Sequence, residues 1–228
     1  MTASIVEGGA ASAAFPSTPD EAACLSDPEL ARIMAGDENG MHKLLDLLGQ
    51  YDRDREIRMA APDALSGAAL WYASLGVAVF PCRPGEKVPL TGNGFRGAST
   101  DRAVVREWWR RWPSANIGAP TGIRFDVLDI DSPAKRPGAP NGYLTVADIR
   151  DRGLLPEILA RSATPSGGCH LFVAVSAGSR SKAGLGPGLD LRGDGGYVIM
   201  PPSRDRTGRR YVWTTMAPAF LRQGREVA

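Results

Sequence analysis

The sequence predicts a mixed α/β (α+β) domain, and three observations carry that reading. Apolar residues recur at helical spacing in three stretches before residue 113. Short apolar or alternating runs, bounded by Gly, Pro and Asp, recur from residue 124 onward. Helices alternate with strands at first and strands then dominate, the pattern of one sheet flanked by helices. No internal repeat interrupts it.

Taken in order, residues 1–24 are Ala, Ser, Thr, Pro and Gly with scattered acids, a composition expected to be disordered. Met41, Leu44, Leu45 and Leu48 fall at helical spacing within residues 27–58, and residues 51–58 are a mixed charge run that suits a solvated face or linker. Pro62 opens a new pattern. Leu65, Ala68, Ala69, Tyr72 and Leu75 predict a helix stopped by Gly76. Residues 77–80 read as a strand ended by Pro81, and residues 83–99 as a Gly/Pro-rich loop carrying Lys87. Asp101 is placed to cap a helix through Trp112 whose stripe is Val104, Val105, Trp108 and Trp109; its tryptophans are expected in the core rather than as a base-stacking platform. Residues 124–131 read as a buried strand, 145–152 as a short helix stopped by Gly153, and 170–175 as a strand. Residues 190–192 and 197–200 are short strands joined by the Gly-rich 193–196, with a last strand at 211–214. The expected organisation is an acidic leader (1–61), a main domain (62–215) and a tail (216–228).

Composition narrows the class. No run of about 18 apolar residues exists, which excludes a membrane-spanning helix. No Lys or Arg precedes Arg32 and no compact apolar segment lies near the start, which argues against a secretory signal. The three cysteines, at 24, 82 and 169, are far apart. That excludes a disulfide-stapled fold and zinc-knuckle spacing, and it fits a reducing cytoplasm. Residues 1–61 hold 5 basic and 11 acidic residues, against 22 and 14 in residues 62–228. A basic domain behind an acidic leader suits a phosphate-rich partner, and it also lies within the range of ordinary soluble domains.

Three segments carry chemistry. In Val127-Leu128-Asp129-Ile130-Asp131 the two acids share one strand face, while Leu128 and Ile130 point to a core. Adjacent carboxylates repel unless a cation lies between them, and hard oxygen ligands favour Mg²⁺ or Mn²⁺. Taken alone, the pair also fits a solvated acidic turn before Ser132-Pro133. In Thr164-Pro165-Ser166-Gly167-Gly168-Cys169-His170, a Gly pair ahead of a strand lets backbone N–H groups approach an anion, and His170 is placed to donate to a phosphate oxygen. An ordinary turn with a surface His fits as well. In Gly188-Leu189-Asp190-Leu191-Arg192, Asp190 and Arg192 share a face, adding a third acid and a guanidinium. Asp194 suits turn geometry, so Asp190 is preferred as a ligand.

The three segments in this order (DVLDID, TPSGGCHLFV and GLDLRGDGGYVIMPPS) resemble the bifunctional DNA primase/polymerase (Prim-Pol) domain of the archaeo-eukaryotic primase superfamily. The upstream stretches ALWYASLGVAVFPCRPGEKVPL and ASTDRAVVREWWRRWPSANIGAPTG are similar to that family's opening, so the resemblance spans roughly residues 62–215. It implies a primase-polymerase core with an RRM-like catalytic sheet flanked by helices. It also implies a divalent-metal-dependent nucleotidyltransferase that makes or extends primers on single-stranded DNA from nucleoside triphosphates. Asp129, Asp131 and Asp190 would bind Mg²⁺ or Mn²⁺. His170 and Arg192, with Ser166, Gly167, Gly168 and Lys87, would meet the triphosphate. Arg106, Arg110 and Arg111 on the tryptophan helix, and Arg204, Arg206, Arg209 and Arg210 near the end, could track the template backbone; such runs are also common on plain surfaces. None of the four lysines follows a Gly, so this chain carries no P-loop and any helicase would be a separate partner. One departure stands out. The superfamily's Ser-x-His has Gly168 in place of Ser, with Ser166 two residues further back, so backbone amides alone could hold the triphosphate. A metal-dependent nuclease, or a non-catalytic single-strand-binding module, would use much the same residues.

Overall fold

The computed structural model describes residues 64–216, apart from Arg136, together with Phe220. The leader and the end of the expected tail lie outside the described residues. Three α-helices and two antiparallel sheets appear among them: α1 (Leu65–Ser74), α2 (Arg102–Arg111) and α3 (Gly142–Asp151), with strands β1 (Phe80–Cys82), β2 (Asn116–Pro120), β3 (Asp126–Ile130), β4 (Ile158–Ala163), β5 (Cys169–Val173), β6 (Lys182–Gly186), β7 (Leu189–Arg192), β8 (Tyr197–Met200) and β9 (Val212–Met216). The mixed α/β reading is correct. The expectation of a single sheet is not. A three-stranded sheet runs β1-β2-β8, and a six-stranded sheet runs β6-β7-β3-β5-β4-β9.

The reason lies at residues 193–196. These read as a hairpin turn, yet β7 pairs with β3 in the large sheet and β8 pairs with β2 in the small one. The carbonyl of Gly193 accepts hydrogen bonds from the hydroxyls of Thr121 (2.7 Å) and Ser181 (3.1 Å), which pin the turn between the sheets. Gly196 could not carry a side chain there, because a Cβ would stand 2.2 Å from Ser181 Oγ.

Pro81 does not end the first strand as expected. It sits inside β1 opposite Ile117. β1 is an edge strand, and proline's missing N–H is tolerated where no second neighbour needs it. Beside it, Phe80 faces Gly118, where a Cβ would lie 2.3 Å from the phenyl ring. Asp101 caps α2 as expected, accepting from the N–H of Ala103 at 2.7 Å. Trp109 is buried and Trp108 and Trp112 pack partly against it, so the tryptophans are core. β9 continues one residue past 215, and Phe220 is buried in the same core.

One apolar core joins α1, α2 and the small sheet (Ala69, Val105, Ile117, Met200) to one face of the large sheet (Val127, Phe172, Ala160, Trp213). On the opposite face of the large sheet lie Leu128, Ile130 and Leu171, the cross-strand partners in register with one another or with β7. α3 contacts β3 and β7 and buries Tyr143 and Val146. Gly142 opens α3 because the carbonyl of Gly188 would stand 2.0 Å from any Cβ at that position. A polar staple ties α1 to β9. Trp213 Nε1 donates to the Tyr72 hydroxyl (2.8 Å), which donates in turn to the carbonyl of Pro201 (2.6 Å). Tyr72→Phe strands both buried partners. It should cost about 1–3 kcal/mol, read in urea unfolding as a lower midpoint at unchanged m.

Candidate active site

The large sheet aligns the expected acids by register. Asp129 on β3 is the cross-strand partner of His170 on β5 and also of Asp190 on β7. Cross-strand partners share a face, so Asp190, Asp129 and His170 form a row across three strands. Ser162 on β4 and Trp213 on β9 extend the row. Asp131 follows β3 with its backbone fixed at both ends: its N–H donates to Gly188 (2.8 Å) and its carbonyl accepts from Gly142 (2.9 Å).

The acids are held by basic side chains. The Arg192 guanidinium lies 3.2 Å from Asp129 and 2.9 Å from Asp190. The other oxygen of Asp190 accepts from the Gly184 N–H at 2.8 Å. Asp131 pairs with Lys135 at 2.8 Å. Among the described residues no three His, Cys, Asp or Glu side chains converge on one metal position. Asp129 and Asp190 fit a hard divalent cation: both offer carboxylate oxygen from one sheet face, and they already share a positive group between them.

Burial sets the protonation states. The His170 side chain is only 3% exposed and that of Asp129 18%. Burial pushes His170 down to about 4; Asp129 opposes this, and Lys87 and Arg192 reinforce it. Burial alone would raise the Asp129 carboxyl, but His170 when protonated, Lys87, and Arg192 at 3.2 Å outweigh it and hold the carboxyl below the ordinary Asp range. His170 Nε2 lies 3.6 Å from Asp129 Oδ1, and its buried Nδ1 has no hydrogen-bond partner. His170 is thus neutral at pH 7.

Lys87 reaches this site from the other sheet's side. It lies in the loop after β1, exposed, and its charge is felt at both Asp129 and His170. Its carbonyl accepts from the Tyr197 hydroxyl at 2.9 Å.

The segment at 164–168 is a tight turn. Gly167 N–H donates to the Thr164 carbonyl (3.0 Å) and Gly168 N–H to Thr164 Oγ1 (3.1 Å). Both amides expected to face an anion are therefore spent inside the turn. Gly168 also explains the departure from Ser-x-His. A Cβ there would stand 2.2 Å from the carbonyl oxygen of Ile130, between the two acids of β3. The hydroxyl available is that of Ser166, 3.2 Å from Thr164 Oγ1.

The arginines expected on nucleic acid are scattered. Arg106 and Arg110 are exposed on α2, and Arg110 pairs with Glu107 at 2.6 Å. Arg204 and Arg209 belong to the loop 204–210, where Arg209 pairs with Asp205 at 3.3 Å. That loop adjoins the Lys87 loop through an Arg206–Glu86 ion pair of 3.1 Å.

Three residues were not singled out from sequence. Lys135 could have been, four residues after Asp131. Tyr211, whose ring lies 5.8 Å from that of His170, and the buried Asn116 give no local signal.

The acidic row, flanked by His170 and Arg192, lies on a mixed α/β scaffold. The model of the bifunctional DNA primase/polymerase, N-terminal (Prim-Pol) family matches residues 69–224, and the chain belongs to that family. No curated protein matches it. No helix among the described residues is long and apolar enough to cross a membrane.

Two predictions follow from burial. Gly168→Ser should destabilise the protein by about 1–3 kcal/mol, because strand β3 rather than a flexible side chain must yield; thermal melting reads the loss. His170 has a folded value near 4 against an ordinary 6.5. The unfolded chain therefore binds the proton first, and stability is full above pH 6.5 and falls between 6.5 and 4. His170→Gln should remove that part of the pH dependence in denaturant midpoints across the window.

Proposed function

We propose that this domain is a divalent-metal-dependent nucleotidyltransferase that synthesises or extends primers on a single-stranded DNA template. The observation that carries the reading is the register that sets Asp190, Asp129 and His170 side by side. Family membership supplies the general class, DNA primase/polymerase-type function in replication.

In the reaction a primer 3′-hydroxyl attacks the α-phosphate of a nucleoside triphosphate and pyrophosphate leaves. Asp129, Asp131 and Asp190 would hold Mg²⁺ or Mn²⁺, which lowers the pKa of the attacking hydroxyl and stabilises the leaving oxygens. Arg192 and Lys87 offset triphosphate charge; Arg192 is already within contact of two of the acids. His170, neutral and rigidly packed, donates Nε2–H to a phosphate oxygen without carrying charge into the buried sheet. Ser166 offers a hydroxyl at the mouth of the turn; Gly167, at φ 80°, shapes the turn, and Gly168 lets it press onto β3. The loop 204–210 offers arginines for the template strand beside Lys87.

The test is primer synthesis and extension on single-stranded DNA with Mn²⁺ or Mg²⁺ and labelled NTPs or dNTPs. Wild type should give product, and Asp129→Ala should lose on the order of 10²-fold or more. Product without a supplied primer identifies a primase, and extension alone a polymerase. Degraded template would point instead to a nuclease, and binding without chemistry to a single-strand-binding module.

A further inference from the structure

The first residue of β2, Asn116, takes no part in the site as described, yet it is a buried polar hub. Asn116 is 3% exposed. Its Nδ2 donates to the carbonyl of Glu86 (3.0 Å) and to the carbonyl of Arg204 (2.7 Å), and its Oδ1 accepts the N–H of Arg204 (2.9 Å). One side chain thus satisfies three backbone groups on two loops, 30 and 88 residues away in sequence. A buried amide so fully used is specific, because removing it leaves three backbone groups without partners.

One of these loops carries Lys87, whose charge is felt at Asp129 and His170, and the other adjoins it through the Arg206–Glu86 ion pair. Glu86 immediately precedes Lys87. The Lys87 loop is a narrow hairpin, closed by Arg83 N–H to Val88 (2.8 Å) and Glu86 N–H to Arg83 (3.0 Å). It leans on the arginine-bearing loop so closely that a Cβ on Gly85 would sit 3.1 Å from the Arg206 Cα. The loop's contact with the small sheet is polar: Tyr197 on the Lys87 carbonyl, and Asn116 on the Glu86 carbonyl. A flexible, exposed lysine is useful to a triphosphate only if its backbone is fixed, since ordering it on binding costs affinity.

We propose that Asn116 is a positioning residue: it locks the Lys87 loop to the 204–210 loop and so fixes the backbone from which Lys87 meets the incoming triphosphate. The proposal rests on the nucleotidyl-transfer reading for its functional half. Asn116 touches no substrate and acts through Lys87. Its loss should therefore raise KM for nucleotide while kcat stays close to wild type, the signature of lost ground-state binding.

The test uses the full chain and has two arms. In hydrogen exchange, Asn116→Ala should speed exchange at Arg83, Glu86 and Arg204 and leave β3 and β5 unchanged. Exchange unchanged at those three amides would overturn the proposal. In primer extension, Asn116→Ala should raise KM for nucleotide about 10-fold, and should add little when Lys87→Ala is already present. Two residues acting as one unit are non-additive. A full further loss in the Lys87→Ala background, or a fall in kcat at unchanged KM, would overturn it. Should the alanine variant not fold, Asn116→Asp keeps the size and the acceptor for Arg204 while removing both donors; exchange should then speed at Arg83 and Glu86, and the KM readout is the same. A wild-type chain that transfers no nucleotide overturns the functional reading, and the exchange arm then decides by itself whether Asn116 locks the loops.

Discussion

The site depends on how β3 pairs with its two neighbours. Asp129 stands opposite His170 on one side and Asp190 on the other. Side chains alternate faces along a strand, so a slip of one residue in either pairing would send a partner to the α3 side. The register is enforced from that side by apolar packing. Leu128 meets both Leu171 and Leu191, and Ile130 meets Leu189 and Cys169. The chemistry is thus aligned by hydrophobic burial on the opposite face, and by Val127, Phe172 and Trp213 beside it on its own. Glycines at 142, 168 and 188 bring the flanking backbone close enough to fix the ends of the row.

The same row explains the site's charge balance. A half-buried carboxylate beside a buried imidazole needs positive charge nearby, or it takes up a proton. Arg192 supplies it from the adjacent strand and Lys87 from the other sheet. The two sheets therefore meet at the site in an electrostatic sense as well as through the core. The small sheet contributes no acid to the row. Its part is to carry the Lys87 loop and, through Asn116 and Tyr197, to anchor it.

Much of this was legible in the sequence because it rests on local rules. Period-two alternation placed Asp129 and Asp131 on one face and Asp190 with Arg192 on another strand's equivalent face. A capping Asp at 101 and the spacing of the tryptophans gave α2. What stayed hidden was non-local. The 193–196 turn has the composition of a hairpin, and only hydroxyls from Thr121 and Ser181 make it a crossover between sheets. Pro81 looks like a strand end until β1 is known to be an edge. Gly168 looked like a lost serine, and only the carbonyl of Ile130 shows why glycine is required. Asn116 and Tyr211 carry no sequence signal, since their partners lie far along the chain. The neutrality of His170 stayed hidden for the same reason: burial is a tertiary property.

The claim at the centre is that the aligned carboxylates form a cation site that serves a triphosphate. Calorimetric titration of Mn²⁺, with and without a non-hydrolysable nucleoside triphosphate, addresses it directly in wild type and in Asp129→Asn. The account predicts Mn²⁺ binding that tightens with nucleotide and weakens at least about tenfold in the variant. Equal affinity in the two proteins, with or without nucleotide, would contradict it.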